Sequence, residues 1–176
     1  LRALKERSAE MKRKGAQIVG SMVLLIKEPK DIQPHLPVLM PALRQTLIDP
    51  IPDVRATSAK AFGTITQGLP EELLGDLIPW LFEMLRSPES TVERSGAAHG
   101  LSEVLCALGN ARVEKNLPEI LETAVAKESP AEVKEGYLGL FVYLPPTMGS
   151  KNFEPWFNKV LNVMLSGLAE EVQPVR

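Results

Sequence analysis

Apolar residues along the chain recur at steps of three and four, the spacing that places side chains on one face of an α-helix. Two segments carry the clearest stripes: Leu74, Leu77, Ile78, Leu81 and Leu85 in one, and Ala97, Leu101, Val104, Leu105 and Leu108 in the other. The strict alternation typical of strands is hard to find. The pattern therefore predicts an all-α protein made of amphipathic helices.

Short runs of turn-forming residues separate these patterns at regular places. We predict turns between paired helices near residues 49–53, 87–91 and 128–131. Ser90 to Glu93 and Ser129 to Glu132 have the S-x-x-E form that begins a helix, with Pro130 at the first helical position. Gly68, Gly109 and Gly149 follow apolar runs and are predicted to end helices in the left-handed conformation.

A repeat of about 40 residues relates the helix pairs. The second helices of successive pairs open with Met11, Val54, Val92, Val133 and Val175, and prolines recur in the first helices at Pro41, Pro79, Pro118 and Pro155. A proline inside a helix removes a hydrogen bond and bends the helix, so its recurrence indicates an architecture that uses the bend. Small residues (Ala16, Ala59, Ala97 and Gly136) near the start of the second helices would allow close stacking.

A pair of helices with a bent first member and a Val-Arg or Val-Lys opening to the second is typical of HEAT repeats. The sequence predicts an α-α superhelix, a HEAT-repeat solenoid, in which residues 1–176 form a single array segment. We expect about four helix pairs, truncated at both ends, within a longer protein.

The amino-acid composition indicates what kind of protein the chain forms and in which compartment it resides. The 176 residues are 44% hydrophobic, enough to bury a core, and the 20 basic and 22 acidic residues give a net charge of −2. A single cysteine fits a reducing compartment, the cytosol or the nucleus, and the apolar runs are too short to span a bilayer. Of these two locations we expect a cytoplasmic one, without a membrane contact.

No catalytic, cofactor or metal site is predicted. His99 and Glu103 stand one helical turn apart but lack a third ligand nearby, and Cys106 lies on the apolar side of its helix. A nucleophile needs a base in reach, and His99 is two turns away from Cys106. Nucleotide-binding glycine motifs are absent from the sequence. The interpretation that follows is a non-enzymatic binding scaffold.

Two sets of residues are candidate contacts, each with a competing structural interpretation. Trp80 and Trp156 follow prolines in first helices and are either exposed anchors for a partner or ordinary packing residues. Arg55, Lys134 and Arg176 either contact a ligand or form a ladder with acids of adjacent turns, for which Asp49 and Asp53 are candidates.

The start of the chain is its most basic part. Residues 1–14 hold six basic and two acidic residues, a local charge of +4, and Lys12, Arg13 and Lys14 are consecutive. These three are the best candidates for a contact with nucleic-acid phosphates, and a solvated helix start is the alternative.

Several strings in collinear order resemble one family. They are Lys14 to Met22, Asp49 to Ala61, Val92 to Val104, Lys134 to Tyr137 and Tyr143 to Pro146. Together they are similar to the central region of the general control nonderepressible one family of translational activators, a region similar to elongation factor three. The resemblance spans about residues 11 to 176, and 110–129 match it poorly.

The resemblance implies a scaffold that binds ribosomes and an ATP-binding-cassette protein, and that stimulates the initiation factor two alpha kinase through other parts of the parent chain during amino-acid starvation or ribosome stalling. Two alternatives stay open. One is a HEAT scaffold of another class, such as a transport receptor or a phosphatase scaffold. The other is the HEAT domain of an ATPase similar to elongation factor three.

Overall fold

The computed structural model describes residues 2–5, 7–26 and 28–169, and every regular element in those ranges is helical. The α-helices are α1 (Arg2–Lys5), α2 (Ala9–Leu25), α3 (Pro29–Ile32), α4 (Leu36–Leu47), α5 (Pro52–Gly68), α6 (Leu77–Leu85), α7 (Thr91–Ala107), α8 (Asn110–Val125), α9 (Ala131–Met148), α10 (Ser150–Phe153) and α11 (Phe157–Leu168), and 3₁₀ turns lie at Gln33–His35, Glu71–Leu74 and Glu154–Trp156. The prediction of an all-α fold is confirmed.

The helices form consecutive pairs. The second helices α2, α5, α7 and α9 pack side by side in chain order, and each lies against its own first-layer partner. The turns inside the pairs fall at residues 48–51, 86–90 and 126–130, within two residues of their predicted places. Met11, Val54, Val92 and Val133 all lie in the first turn of a second helix, whereas Val175 lies outside the described residues.

One continuous core runs between the two layers of helices. Its fully buried side chains include Leu43, Phe62, Leu81, Leu105 and Tyr137, which come from both layers. Burial of apolar side chains contributes about 25 cal/mol per Å² of area removed from water, so the core is the main stabilising term. In the described part of the chain, no helix combines the length and the apolarity needed to cross a bilayer.

The predicted helix ends are partly right. Ser90 caps α7, because its hydroxyl accepts a hydrogen bond from the Glu93 backbone N–H at 3.1 Å, and Gly109 and Gly149 have positive φ. The cap of α9 is Pro130 instead of Ser129. The left-handed conformation predicted for Gly68 is wrong, because Gly68 is the last residue of α5 and its φ is not positive. A glycine is needed there for space, since a Cβ would come within 2.8 Å of Val23 Cγ1.

The proline prediction also needs a correction. Pro41 and Pro118 lie inside α4 and α8, but Pro79 is in the first turn of α6 and Pro155 lies in a 3₁₀ turn before α11. Pro155 matches Pro34, since each is the middle residue of a 3₁₀ turn followed by a 12-residue helix. Pro155 therefore follows Pro118 at the expected spacing but occupies a different position in its repeat, before the helix and not inside it.

The close stacking predicted from small residues is present. Ala16, Ala59 and Ala97 are completely buried. Gly136 packs on the carbonyl oxygen of Leu85, and Gly96 takes the corresponding place on Leu47; a Cβ added to either glycine would overlap that oxygen. These glycines let α7 and α9 touch the last residue of the first helix in the preceding pair, α4 and α6 respectively.

Apolar side chains remain exposed on the helices at the two ends of the described array. On α2 they are Met11, Ile18, Met22, Leu24 and Leu25, and on α11 they are Phe157, Leu161, Leu165 and Leu168. Phe157, Leu161 and Leu168 occupy the first, fifth and last positions of α11, where α4 has Leu36, Met40 and Leu47. Those three α4 residues are buried, and α5 packs against α4.

Candidate functional site

Ion pairs at the N-terminal ends of the second helices join α2 to the start of α5 and α7 to α9, and we call this set the ion-pair ladder. Lys12 Nζ in α2 lies 2.5 Å from Asp49 Oδ2 in the turn before α5, and the Asp49 side chain is only 4% exposed. The other carboxylate oxygen of Asp49 accepts a hydrogen bond from the Ile51 N–H at 2.9 Å. Next to this pair, Arg13 Nη1 lies 3.4 Å from Asp53 Oδ2.

The ladder continues between α7 and α9. Arg94, almost fully buried, donates to the Glu135 carboxylate and to the Ser87 carbonyl oxygen, the latter at 2.7 Å. Arg55 fills the related place in α5 but donates to the carbonyl oxygens of Asp49 and Pro50, at 2.8 and 3.0 Å. Each of these guanidinium groups therefore closes the turn that precedes its own helix.

The predicted ladder is confirmed for its acids and corrected for its bases. Asp49 and Asp53 do form ion pairs between repeats, but their partners are Lys12 and Arg13 and not Arg55. Lys134 is buried near the start of α9, and Arg176 lies outside the described residues. The sequence pattern missed Arg94, because Glu93 interrupts the Val-Arg opening there.

The basic cluster proposed for RNA lies in the first turn and a half of α2. All three of its side chains have carboxylate partners: Lys12 with Asp49, Arg13 with Asp53, and Lys14 with Glu10 at 2.8 Å. The hydrogen bond from Lys14 is the main cause that lowers the pKa of Glu10. Lys14 and Arg13 stay well exposed to solvent, so their contact with phosphate remains a prediction.

Both tryptophans are half-buried, and each has a cation over its ring. The Arg44 guanidinium lies 4.7 Å from the Trp80 ring centroid and also pairs with Asp76, whose pKa it lowers mainly through a hydrogen bond. Lys159 Nζ lies 4.9 Å from the Trp156 ring centroid. Partner binding by either tryptophan stays a prediction.

One polar cluster was not foreseen from the sequence. Arg86 Nε donates to the hydroxyl oxygen of Tyr137 at 2.8 Å, across 51 residues of chain. The Tyr137 ring is fully buried, and burial raises the pKa of its hydroxyl while Arg86 opposes that shift. The local pattern around either residue gives no sign of this contact.

His99 contacts Glu103 and an aromatic ring, and the surroundings of the Cys106 thiol favour its protonated form. His99 Nε2 is 3.8 Å from Glu103 Oε1, and the imidazole stacks on the Tyr143 ring with 4.2 Å between centroids. Burial, and to a lesser extent Glu103, raises the pKa of the Cys106 thiol to about 11. Among the residues that the structure describes, no group of three His, Cys, Asp or Glu side chains could hold a metal ion.

A groove of about 400 Å³ lies between α2 and α5, one helical turn beyond the Arg13–Asp53 ion pair. Eight residues line it: Gln17, Gly20, Ser21 and Leu24 from α2, and Thr57, Lys60, Ala61 and Thr64 from α5. Lys60 is the single charged residue among them. This groove was not foreseen from the sequence.

Helix pairs of about 40 residues stacked in two layers define an α-solenoid of the HEAT-repeat class, in which neighbouring repeats build an extended surface. Residues 1–76 match the family described as Elongation factor 3/GNC1 HEAT repeat. Over 175 residues, the chain is 46% identical to Protein ILITYHIA of Arabidopsis thaliana, 46% identical to the eIF-2-alpha kinase activator GCN1 of Dictyostelium discoideum and 43% identical to the stalled ribosome sensor GCN1 of Homo sapiens.

These alignments cover 99% of the chain and 6% of each relative. The chain is a GCN1-like HEAT-repeat protein, as the resemblance predicted. Its sequence therefore corresponds to a small part of the length of the relatives that it matches.

Proposed function

We propose that this chain is a non-enzymatic scaffold segment of a cytoplasmic, ribosome-associated activator of the initiation factor two alpha kinase. One observation carries the proposal: the whole chain aligns with proteins whose names describe a kinase activator and a stalled ribosome sensor. The fold agrees with a scaffold, because its buried polar groups close turns and join neighbouring repeats.

The test uses the parent protein, since the proposed activity belongs to a much longer chain. Residues 1–176 would be exchanged for a HEAT segment of equal repeat number from an unrelated scaffold. We expect ribosome co-sedimentation and phosphorylation of initiation factor two alpha during amino-acid starvation to fall together. Unchanged values for both would refute the proposal.

A second candidate function is the HEAT domain of an ATPase similar to elongation factor three. The description of the matching family, which includes elongation factor 3, favours it. Nucleotide-binding motifs in the remainder of the parent chain, together with ATP hydrolysis by that parent chain, would decide for the ATPase.

The proposed partners of the segment are the ribosome and an ATP-binding-cassette protein. For the protein partner we assign Trp80 and Trp156, because both rings are partly exposed and lie below a cation on the first-helix layer. Capture of the ATP-binding-cassette partner by the parent protein should fall in Trp80→Ala and Trp156→Ala variants. Trp80→Phe, which keeps an aromatic ring under Arg44, serves as the matched control.

Lys12, Arg13 and Lys14 are the proposed contacts with ribosomal RNA. A phosphate would compete with the carboxylates that these side chains now pair with, and Lys14 and Arg13 are the better placed because their pairs are exposed. A triple charge reversal should lower ribosome co-sedimentation and flatten its salt dependence. Equal co-sedimentation of the wild type and the charge-reversed variant across a salt series would rule out the RNA contact. Protein partners would then be the only proposed partners of the segment.

A further inference from the structure

We propose that the groove between α2 and α5 holds a short stretch of RNA backbone, with Lys60 against a phosphate and Thr57 and Thr64 accepting hydrogen bonds from ribose 2′-hydroxyls. This proposal rests on the proposed ribosome association and adds a site outside the basic cluster at the chain start. It arises from the shape, the charge and the hydrogen bonding of the groove.

The shape of the groove follows from a close approach of two helices. Gly20 of α2 faces Ala61 of α5, and a Cβ added to Gly20 would lie 3.2 Å from Ala61 Cα. The floor is therefore made of small residues. Longer polar side chains stand on both sides, with Gln17 and Ser21 on α2 and Lys60 on α5.

The charge of the groove favours an anion. Its eight lining residues include one cation and no carboxylate, although acids outnumber bases in the chain by 22 to 20. Lys60 is exposed and forms no ion pair with any residue in the described part of the chain. An unpaired ammonium group beside uncharged donors suits a phosphodiester, whose binding releases condensed counterions.

The hydroxyl groups of the groove favour RNA over DNA. Thr57 Oγ1 donates to the Asp53 carbonyl oxygen at 2.8 Å, and Thr64 Oγ1 donates to the Lys60 carbonyl oxygen at 2.9 Å. A hydroxyl has one hydrogen, so both oxygens are left as acceptors. Phosphate oxygens carry no hydrogen to donate, whereas the ribose 2′-hydroxyl does, and DNA lacks that hydroxyl.

The groove also continues from the basic cluster. The Arg13–Asp53 ion pair lies one helical turn before Gln17 and Thr57, and Lys60 lies seven residues after Asp53, roughly 10 Å farther along α5 at 1.5 Å per residue. Gln17 and Ser21 follow Arg13 at steps of four on the same face of α2. An RNA strand that contacts Arg13 would therefore meet Gln17 before it reaches Lys60, with Ser21 at about the height of Lys60 on the facing helix.

The test measures fluorescence anisotropy of labelled single-stranded RNA, and of DNA of the same base sequence, with the 176-residue chain over a salt series. Lys60→Glu should weaken RNA binding and reduce the slope of log affinity against log salt by about 0.7, the value for one single-strand phosphate contact. A Thr57→Val, Thr64→Val double variant should lose the preference for RNA over DNA while keeping the salt slope.

Lys159→Glu is the matched control, because Lys159 is also exposed but lies in α11 over Trp156. Circular dichroism checks folding, and Lys60→Gln repeats the measurement without adding a negative charge. Equal RNA binding by the wild type, Lys60→Glu and Lys60→Gln would overturn the proposal. Displacement of the RNA by polyglutamate at equal charge would also overturn it and assign the groove to an acidic protein segment.

Co-sedimentation of the parent protein separates this proposal from the proposed function. If the parent binds ribosomes but Lys60 variants bind RNA like the wild type, the groove proposal fails and the scaffold proposal stands. If the parent does not bind ribosomes under any condition, the ribosome-associated function fails, and the RNA measurements then decide the groove alone.

Discussion

The backbone of Gly136 in α9 packs on the carbonyl oxygen of Leu85, the last residue of α6, and a Cβ at this glycine would overlap the oxygen. Gly139 lies one turn farther along the same helix, and a Cβ there would meet only Ala98 Cβ at an ordinary 3.6 Å. The two glycines therefore provide a matched pair.

Gly136→Ala should lower the free energy of unfolding by about 2 kcal/mol, because overpacking costs roughly 1–3 kcal/mol and the higher helix propensity of alanine recovers at most about 1 kcal/mol. Gly139→Ala should be neutral or stabilising. Urea unfolding followed by circular dichroism measures both. Equal stability of the two variants would show that α9 shifts away from Leu85 without cost.

Removing the buried arginine of the ladder should be costly. Arg94→Met leaves the Ser87 carbonyl oxygen and the Glu135 carboxylate without their donor, and we expect a loss of about 1.5–3 kcal/mol, the range for hydrogen bonds to charged groups. Lys14→Met, which breaks an exposed pair with Glu10, is the control and should not move the urea midpoint. Similar midpoints for both variants would contradict a role for Arg94 in stability.

The thiol of Cys106 should react slowly in the folded chain. Its pKa is about 11 instead of 9.0, so at pH 9 roughly 1% is thiolate, compared with about half in the unfolded chain. Since folding favours the protonated thiol, its contribution to stability is present below pH 9 and is lost as the pH rises toward 11. Iodoacetamide labelling at pH 8 to 11, with and without urea, measures this. Equal labelling rates for the folded and the urea-unfolded chain would contradict the raised pKa of Cys106.

Arg44 should shield Trp80 from small quenchers, because its guanidinium covers the ring and is held there by Asp76. In a Trp156→Phe background, Arg44→Ala should raise the acrylamide quenching constant of the remaining tryptophan. The pKa of Asp76 is lowered by folding, so the pair is intact above pH 3.8 and is lost as the pH falls through the lower folded value. Quenching that does not respond to the variant would place the guanidinium away from the ring.

Local features of the sequence determined the class of fold. The three- and four-residue spacing and the turn-forming runs depend on residues close together in the chain, and the recurrence of Val54, Val92 and Val133 repeats one such local opening along it. These features predicted an all-helical chain and placed the turns inside the pairs to within two residues. The same local features predicted the cap at Ser90 and the left-handed glycines at 109 and 149. The family resemblance was likewise contained in short collinear strings.

Contacts between repeats required the tertiary structure. Lys12 and Asp49 are 37 residues apart, Arg94 and Glu135 are 41 apart, and no local pattern states which acid meets which base. Pro155 has the spacing expected of a proline inside a first helix, but it lies in a 3₁₀ turn and matches Pro34. Only the structure shows this difference. The groove beside Lys60 exists because Gly20 lets α2 approach Ala61. That distance is set by packing between helices, which the period of a single helix cannot encode.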